Sequence, residues 1–244
     1  MATPGSLAEV IARMQSTLGP LPKGDGVACF TRLYLSVTEG VRQRLAGFAF
    51  ADPTFLARLD VIFAGLFFTA LDAASVKGEQ GMPHAWAPLV EARSGHGIAP
   101  LQFALAGMSA HINRDLPVAL VTTCMELGIE LEEGSPQHLD FEHVNTVLAE
   151  VEAQVKAQYL TGVLRTIDRL IHRVDRIDDV VAMWNVSRAR DAAWANAQAL
   201  WALRGQPDLE ASYLVALDRM VSLTCRGLLV PADTWLQRLS RALN

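Results

Sequence analysis

No Gly-x-Gly-x-x-Gly follows a strand-like segment in this chain, no glycine-rich loop ends in Lys-Ser or Lys-Thr, and no Gly-x-Ser-x-Gly elbow or His-Glu-x-x-His pair occurs. These absences set aside nicotinamide binding, nucleoside-triphosphate binding and the common serine hydrolases, and leave redox cofactor chemistry without a motif. Asp178-Asp179 lacks the third carboxylate of the isoprenoid-cyclase pattern, because Ala182 stands in its place. Charge is also scarce: Asp, Glu, Lys and Arg make up 19% of the chain, and the net charge is −5. Lys and Arg are scattered, so no basic stripe answers a phosphate backbone and no nucleic-acid partner is expected.

Cysteine is limited to Cys29, Cys124 and Cys225, an odd and widely spaced set in apolar helical surroundings. Buried thiols in a reducing compartment are the simplest reading. The longest apolar run, Val61 to Leu71, is about half of a bilayer span, so no membrane span is expected. Met1 to Val10 lacks the basic start and apolar centre of a secretory signal, with Glu9 where the centre would lie. A cytoplasmic location is the expectation.

Apolar residues, at 51%, are plentiful, and they recur with helical spacing from end to end, without the alternation and hairpin turns of strands. The pattern predicts an all-α fold, one domain over residues 1–244, as a bundle of about eight to ten helices around a kinked, buried central helix. Ser6 caps a helix to about Leu18, a second runs from Val27 to Leu45, and Asp52-Pro53 opens a long one through Leu71. Between Lys77 and Pro100 lie four glycines and three prolines around a short helix near Trp86 to Ala92, a natural pocket wall or lid. Asp140 is placed as the cap of a helix starting at Phe141, which also accounts for the carboxylate beside His138 and His143. Later helices span Asp178 to Leu203, Leu209 to Gly227 and Thr234 to Leu243. A surplus of apolar surface could be absorbed by a subunit interface, as in a homodimer.

The residues most out of place lie in the apolar stretch from Leu101 to Asp115. Ala104, Gly107, His111 and Asp115 fall on one helical face, where the small residues permit close approach and the imidazole and carboxylate stand one turn apart. Pro117 forces the helix to kink or end near Asn113. With His96 from the segment upstream, His111 and Asp115 could form a facial triad for a divalent metal, with His84, Glu91 and Asp72 as further ligand candidates. Without metal, His111 and Asp115 could act as an acid-base pair, while a core histidine beside a helix-capping Asp115 is the non-catalytic alternative. A second constellation places Trp184, Arg188 and Asp191 on one face, with Trp194 and Trp201 nearby. Together with Trp86 and Gly107, Trp184, Arg188 and Asp191 are the candidate substrate contacts.

The strings Gly24-Asp25-Gly26-Val27-Ala28-Cys29-Phe30, Ile98-Ala99-Pro100-Leu101-Gln102-Phe103-Ala104-Leu105-Ala106-Gly107-Met108 and His111-Ile112-Asn113-Arg114-Asp115-Leu116-Pro117 resemble a bacterial family of uncharacterised proteins known mainly from actinomycetes. The likeness covers most of the chain and implies no particular reaction. The residues themselves point to a small-molecule enzyme with an apolar pocket, hydrolytic, dehydrating or cyclising. In that reading the pocket is framed by the Val61 to Leu71, 101 to 115 and Trp184 to Gln198 helices and covered by the 78 to 100 segment. The alternative is a helical binding protein for an apolar small molecule, or a subunit of a larger assembly.

Overall fold

A computed structural model describes residues 4–45, 50–77, 81–148 and 185–231, and helix is the only regular secondary structure among them. Several helices begin where a side chain answers free backbone N–H groups. In α1 (Leu7–Leu18) Ser6 Oγ accepts from the Glu9 N–H at 3.3 Å. In α2 (Gly26–Leu45) Asp25 Oδ1 accepts from Val27 and Ala28, and in α3 (Pro53–Lys77) Asp52 Oδ1 accepts from Phe55 at 2.9 Å. The short α4 (Ala87–Ala92) and α5 (Pro100–Ala110) carry proline in their first turns. Then follow α6 (Leu116–Leu127), which ends on Gly128 at φ +66°, and α7, whose described part is residues 136–148. Asn185 caps α8 (Val186–Leu203), and α9 (Pro207–Leu228) is the last described helix. The sequence-based starts at Asp178 and Thr234 lie outside the described residues.

Helix α2 packs on α5, α5 on α9, α3 on α6 and α6 on α8, with α1 laid across α2 and α3. The apolar side chains of these faces merge into a core that runs from Val10 to Leu229 and contains Phe30, Phe67, Phe68, Trp86 and Phe103. Over Pro53–Val76, α3 is long and apolar enough to cross a membrane by length and composition, which counting Val61 to Leu71 alone had missed. In the fold 39% of that stretch is buried, including Phe55, Ala64, Phe67, Phe68 and Ala70, and two of its charged residues form ion pairs, Arg58 with Glu126 and Asp72 with Arg13, both at 2.6 Å.

Two local expectations need correction, and a third is resolved. Of the kink or end expected near Asn113, the helix does not end; it widens into a π-helical segment, His111–Asp115, and continues as α6. The cause is Pro117, which has no N–H to give and whose ring crowds the carbonyl four residues back, that of Asn113. Widening lets the Leu116 N–H reach the His111 carbonyl instead, and a π segment inside a helix is a frequent mark of a functional site. Asp140 does not open its helix, because Ser135 does so through the His138 N–H; the Asp140 carboxylate instead accepts from Ala51 and Asp52 at the start of α3. The segment before α4 is fixed rather than lid-like: the Asp218 carboxylate on α9 accepts from the His84 and Ala85 N–H groups at 2.7 and 2.9 Å.

Candidate active site

The π segment sets the geometry of the site. The side chains of His111 and Asp115 are 1% and 0% exposed, and His111 Nδ1 lies 3.2 Å from Asp115 Oδ2. That oxygen also accepts from Trp86 Nε1 at 3.0 Å, while Oδ1 accepts from Arg114 at 2.9 Å. A carboxylate met by an indole N–H and a guanidinium is an acceptor, so the His111 proton sits on Nδ1 and Nε2 keeps its lone pair. Asp115 makes no side-chain cap of α6, so the capping alternative fails on geometry.

The imidazole is held by rings. Phe63 stacks on it at 3.6 Å with planes 4° apart, and Tyr34 meets it edge-on at 4.6 Å. Its Nε2 is buried and has no hydrogen-bond partner among the described residues. Burial holds His111 below the ordinary histidine range, and the hydrogen bond and charge of Asp115 only partly offset this. At neutral pH the ring is therefore an uncharged base, with its Nδ1 side tied into the protein.

His111 forms part of the wall of a cavity of about 210 Å³, which is lined mostly by leucine, valine and isoleucine from α1, α2, α3, α7 and α8. Its polar members are few: His111, Tyr34, Thr38, Asp60, Arg42 and Arg190. Burial raises the Asp60 carboxyl to about 6, against the pull of Arg190, and raises the Tyr34 phenol well above its usual value. Burial lowers Arg190 to about 10, partly offset by Asp60, Glu142 and Asp191, so the guanidinium remains cationic at neutral pH. A neutral base, a weak carboxylic acid, a phenol and a cation thus share one apolar chamber, an arrangement typical of acid-base sites.

Asp60 leaves a signature in stability. Its folded-state value, about 6, lies above the ordinary value near 3.9, so the native chain holds an extra proton between those pH values. Its contribution is favourable below about 4 and is lost as pH rises through about 6. Asp60→Asn is expected to raise the melting temperature over wild type at pH 7.5, with the gain shrinking towards pH 4. A variant less stable than wild type at both pH values would show Asp60 to be a structural bond instead.

The other sequence candidates are placed elsewhere. His96 is exposed, as is His84, and among the described residues no three His, Cys, Asp or Glu side chains gather into a metal-binding set; the His96, His111 and Asp115 triad is not assembled. Glu91 is engaged by Arg226 at 2.7 Å and Asp72 by Arg13. Trp86 is wholly buried and supports Asp115 rather than lining the cavity, and no residue of 81–100 lines it. Gly107 admits a neighbouring helix, not a ligand: a Cβ there would lie 2.4 Å from Phe30 Cγ on α2. Arg188 and Asp191 are exposed, and Trp184 lies outside the described residues. Trp194 packs with Phe141 in the core, and Trp201 donates to Glu130.

Three site residues, Tyr34, Asp60 and Arg190, are not selected by the sequence reading, although the two charged ones interrupt an apolar pattern. Asp60 stands among Leu56, Leu59, Val61 and Phe63. Arg190 belongs to the buried stripe Val186, Arg190, Ala193, Ala197 and Leu200, whereas Arg188 and Asp191 lie on the solvent face of the same helix.

The chain belongs to a family described as "Family of unknown function (DUF5995)", which matches residues 7–231. No curated protein and no solved structure matches it.

Proposed function

We propose that this protein is an enzyme performing acid-base chemistry, hydrolytic, dehydrating or cyclising, on a small and largely apolar molecule. The observation that carries this reading is the buried, unpartnered Nε2 of His111 on a ring whose Nδ1 is held by Asp115. Nε2 takes a proton from the substrate or from a water molecule, and the Asp115 carboxylate stabilises the imidazolium that forms. Protonated Asp60 or the Tyr34 phenol returns a proton to the departing or newly charged oxygen. The metal-assisted version has less support, because His96 stands in solvent and no third ligand among the described residues joins the pair. Buried, unpaired Cys29, Cys124 and Cys225 support a reducing, cytoplasmic setting.

The test is consumption of small molecules from a metabolite extract, followed by mass spectrometry. Wild-type protein is expected to deplete a discrete set of apolar compounds, and His111→Gln, which preserves size and polarity, to slow that depletion about 10²-fold or more. The predominantly apolar lining also favours a second reading, a carrier that holds such a molecule unchanged. A ligand retained in the native mass spectrum, with no compound depleted, would establish the carrier and remove the enzyme.

A further inference from the structure

We propose that the cavity is built for an amphipathic carboxylate, with the carboxylate bound by Arg190 and the apolar body lying against the leucine and valine walls towards His111. The inference shares its cavity with the proposed enzyme and specifies the chemical class of the molecule that enters it.

Arg190 is the point of departure. Its side chain lies on the buried face of α8, the residue being 8% exposed, and it forms part of the cavity wall. Nε donates to Asn145 Oδ1, one terminal nitrogen donates to the Phe141 carbonyl at 3.0 Å, and the guanidinium carbon stands 3.8 Å over the Phe141 ring. All three partners are uncharged, and Arg190 has no carboxylate within ion-pairing distance among the described residues. They fix the fork in place and, among the described residues, leave the second terminal nitrogen uncommitted. A buried cation without a counter-charge is costly, and a ligand carboxylate relieves that cost with short, charge-assisted hydrogen bonds.

The remaining features narrow the choice. Asp60 acts on Arg190 through space without touching it, so the protein's own acid does not complete the pair. Arg42, exposed and also part of the wall, adds a second positive charge where the cavity meets solvent. At pH 7.5 Asp60 is mostly ionised, but Arg42 and Arg190 outnumber it in the wall. An amine would therefore meet a net positive lining, and a neutral hydrocarbon would leave Arg190 with only an acid it does not touch. A phosphate would carry more charge and hydration into an apolar chamber that offers one buried cation. A cavity of 150 Å³ accommodates benzene, so this one, at about 210 Å³, suits a body of roughly ten non-hydrogen atoms.

The test is calorimetric titration of the full chain at pH 7.5 with octanoate, 1-octanol and octylamine, molecules of nearly equal apolar body and different head. Octanoate is expected to bind about tenfold or more tightly than either of the others, the worth of one charge-assisted hydrogen bond. Arg190→Gln should bring octanoate and octanol within about twofold of each other, and Arg190→Lys should retain part of the preference. Should Arg190→Gln fail to fold by circular dichroism, Arg190→Lys and the wild-type ligand series decide the matter. Octanol or octylamine binding as well as octanoate to wild type, or no octanoate binding at all, overturns the proposal. Arg188→Gln, on the solvent side of α8 and outside the cavity wall, should leave octanoate affinity unchanged within about threefold, well under the 1.4 kcal/mol of a tenfold effect. Octanoate preference without turnover of any compound would therefore remove only the enzymatic reading, whereas turnover confined to compounds lacking a carboxylate would remove only this one.

Discussion

Asp115→Ala is expected to lower the unfolding free energy by about 3–5 kcal/mol, the usual cost of removing one partner from a buried charged network. One carboxylate, 0% exposed, accepts from three side chains on two elements: Trp86 before α4, and His111 and Arg114 in the π segment. Truncation strands a buried indole N–H and a buried imidazole N–H, neither of which has another hydrogen-bond partner among the described residues. Arg114 is left leaning on Asp218, 3.7 Å away, which already answers two backbone N–H groups. Urea denaturation followed by circular dichroism measures the loss. Asp115→Asn should fall between the two, since an amide oxygen can serve one side of the network while its NH₂ opposes a donor on the other. Its effect on turnover should exceed its effect on stability, because the amide no longer fixes which imidazole nitrogen carries the proton. A loss below about 1 kcal/mol for the alanine variant would mean that solvent reaches the network after all.

That network was half legible in the sequence. Helical spacing was enough to place His111 and Asp115 on one face, because i and i+4 neighbours meet whatever the rest of the fold does. Trp86 was noticed as an aromatic in a loop-rich stretch, but its hydrogen bond to Asp115 spans 29 positions, and no local rule encodes such a contact. Periodicity also locates most helix boundaries, because capping is local chemistry: Ser6, Asp52 and Gly128 act where their types predict. Asp140 shows the limit of that logic. Its carboxylate holds the backbone just before another helix, 88 positions earlier in the chain, and caps neither. His96 fails for the complementary reason, since composition can suggest that a histidine-bearing loop folds over a site and cannot show that it does. Asp60 and Arg190 were readable as single charges in apolar stripes, a signal stronger than the cluster of polar and aromatic residues on the exposed side of α8.

The close approach of α2 and α5 gives the other large expectation: Gly107→Leu should destabilise the fold by about 3 kcal/mol or more, at the upper end of overpacking costs. At Gly107 a Cβ would stand 2.4, 2.5 and 2.6 Å from Cγ, Cδ2 and Cβ of Phe30, the root of a side chain that is 0% exposed. The root of a ring cannot swing aside as a flexible tip can, so the two helices must separate. The same pair is pressed together at its other end, where Gly26 faces the Phe103 ring at 2.6 Å from its own would-be Cβ and donates to the Arg93 carbonyl. Gly107→Ala makes the more discriminating measurement, because alanine gains about 1 kcal/mol of helix propensity over glycine while adding only the one methyl that collides. If the contact is as close as these distances state, the collision wins and the alanine variant loses about 1–2 kcal/mol net. If propensity wins and the variant is stabilised, the helices have room to spare. The outcome bears on the site as well as the scaffold, because Phe30 stacks with Tyr34 on the same helix, and Tyr34 meets the His111 ring edge-on. Moving α2 outward by even a few tenths of an ångström loosens the aromatic cage that orients the imidazole, so in any folded Gly107→Ala protein turnover should fall while the Asp115 hydrogen bonds remain.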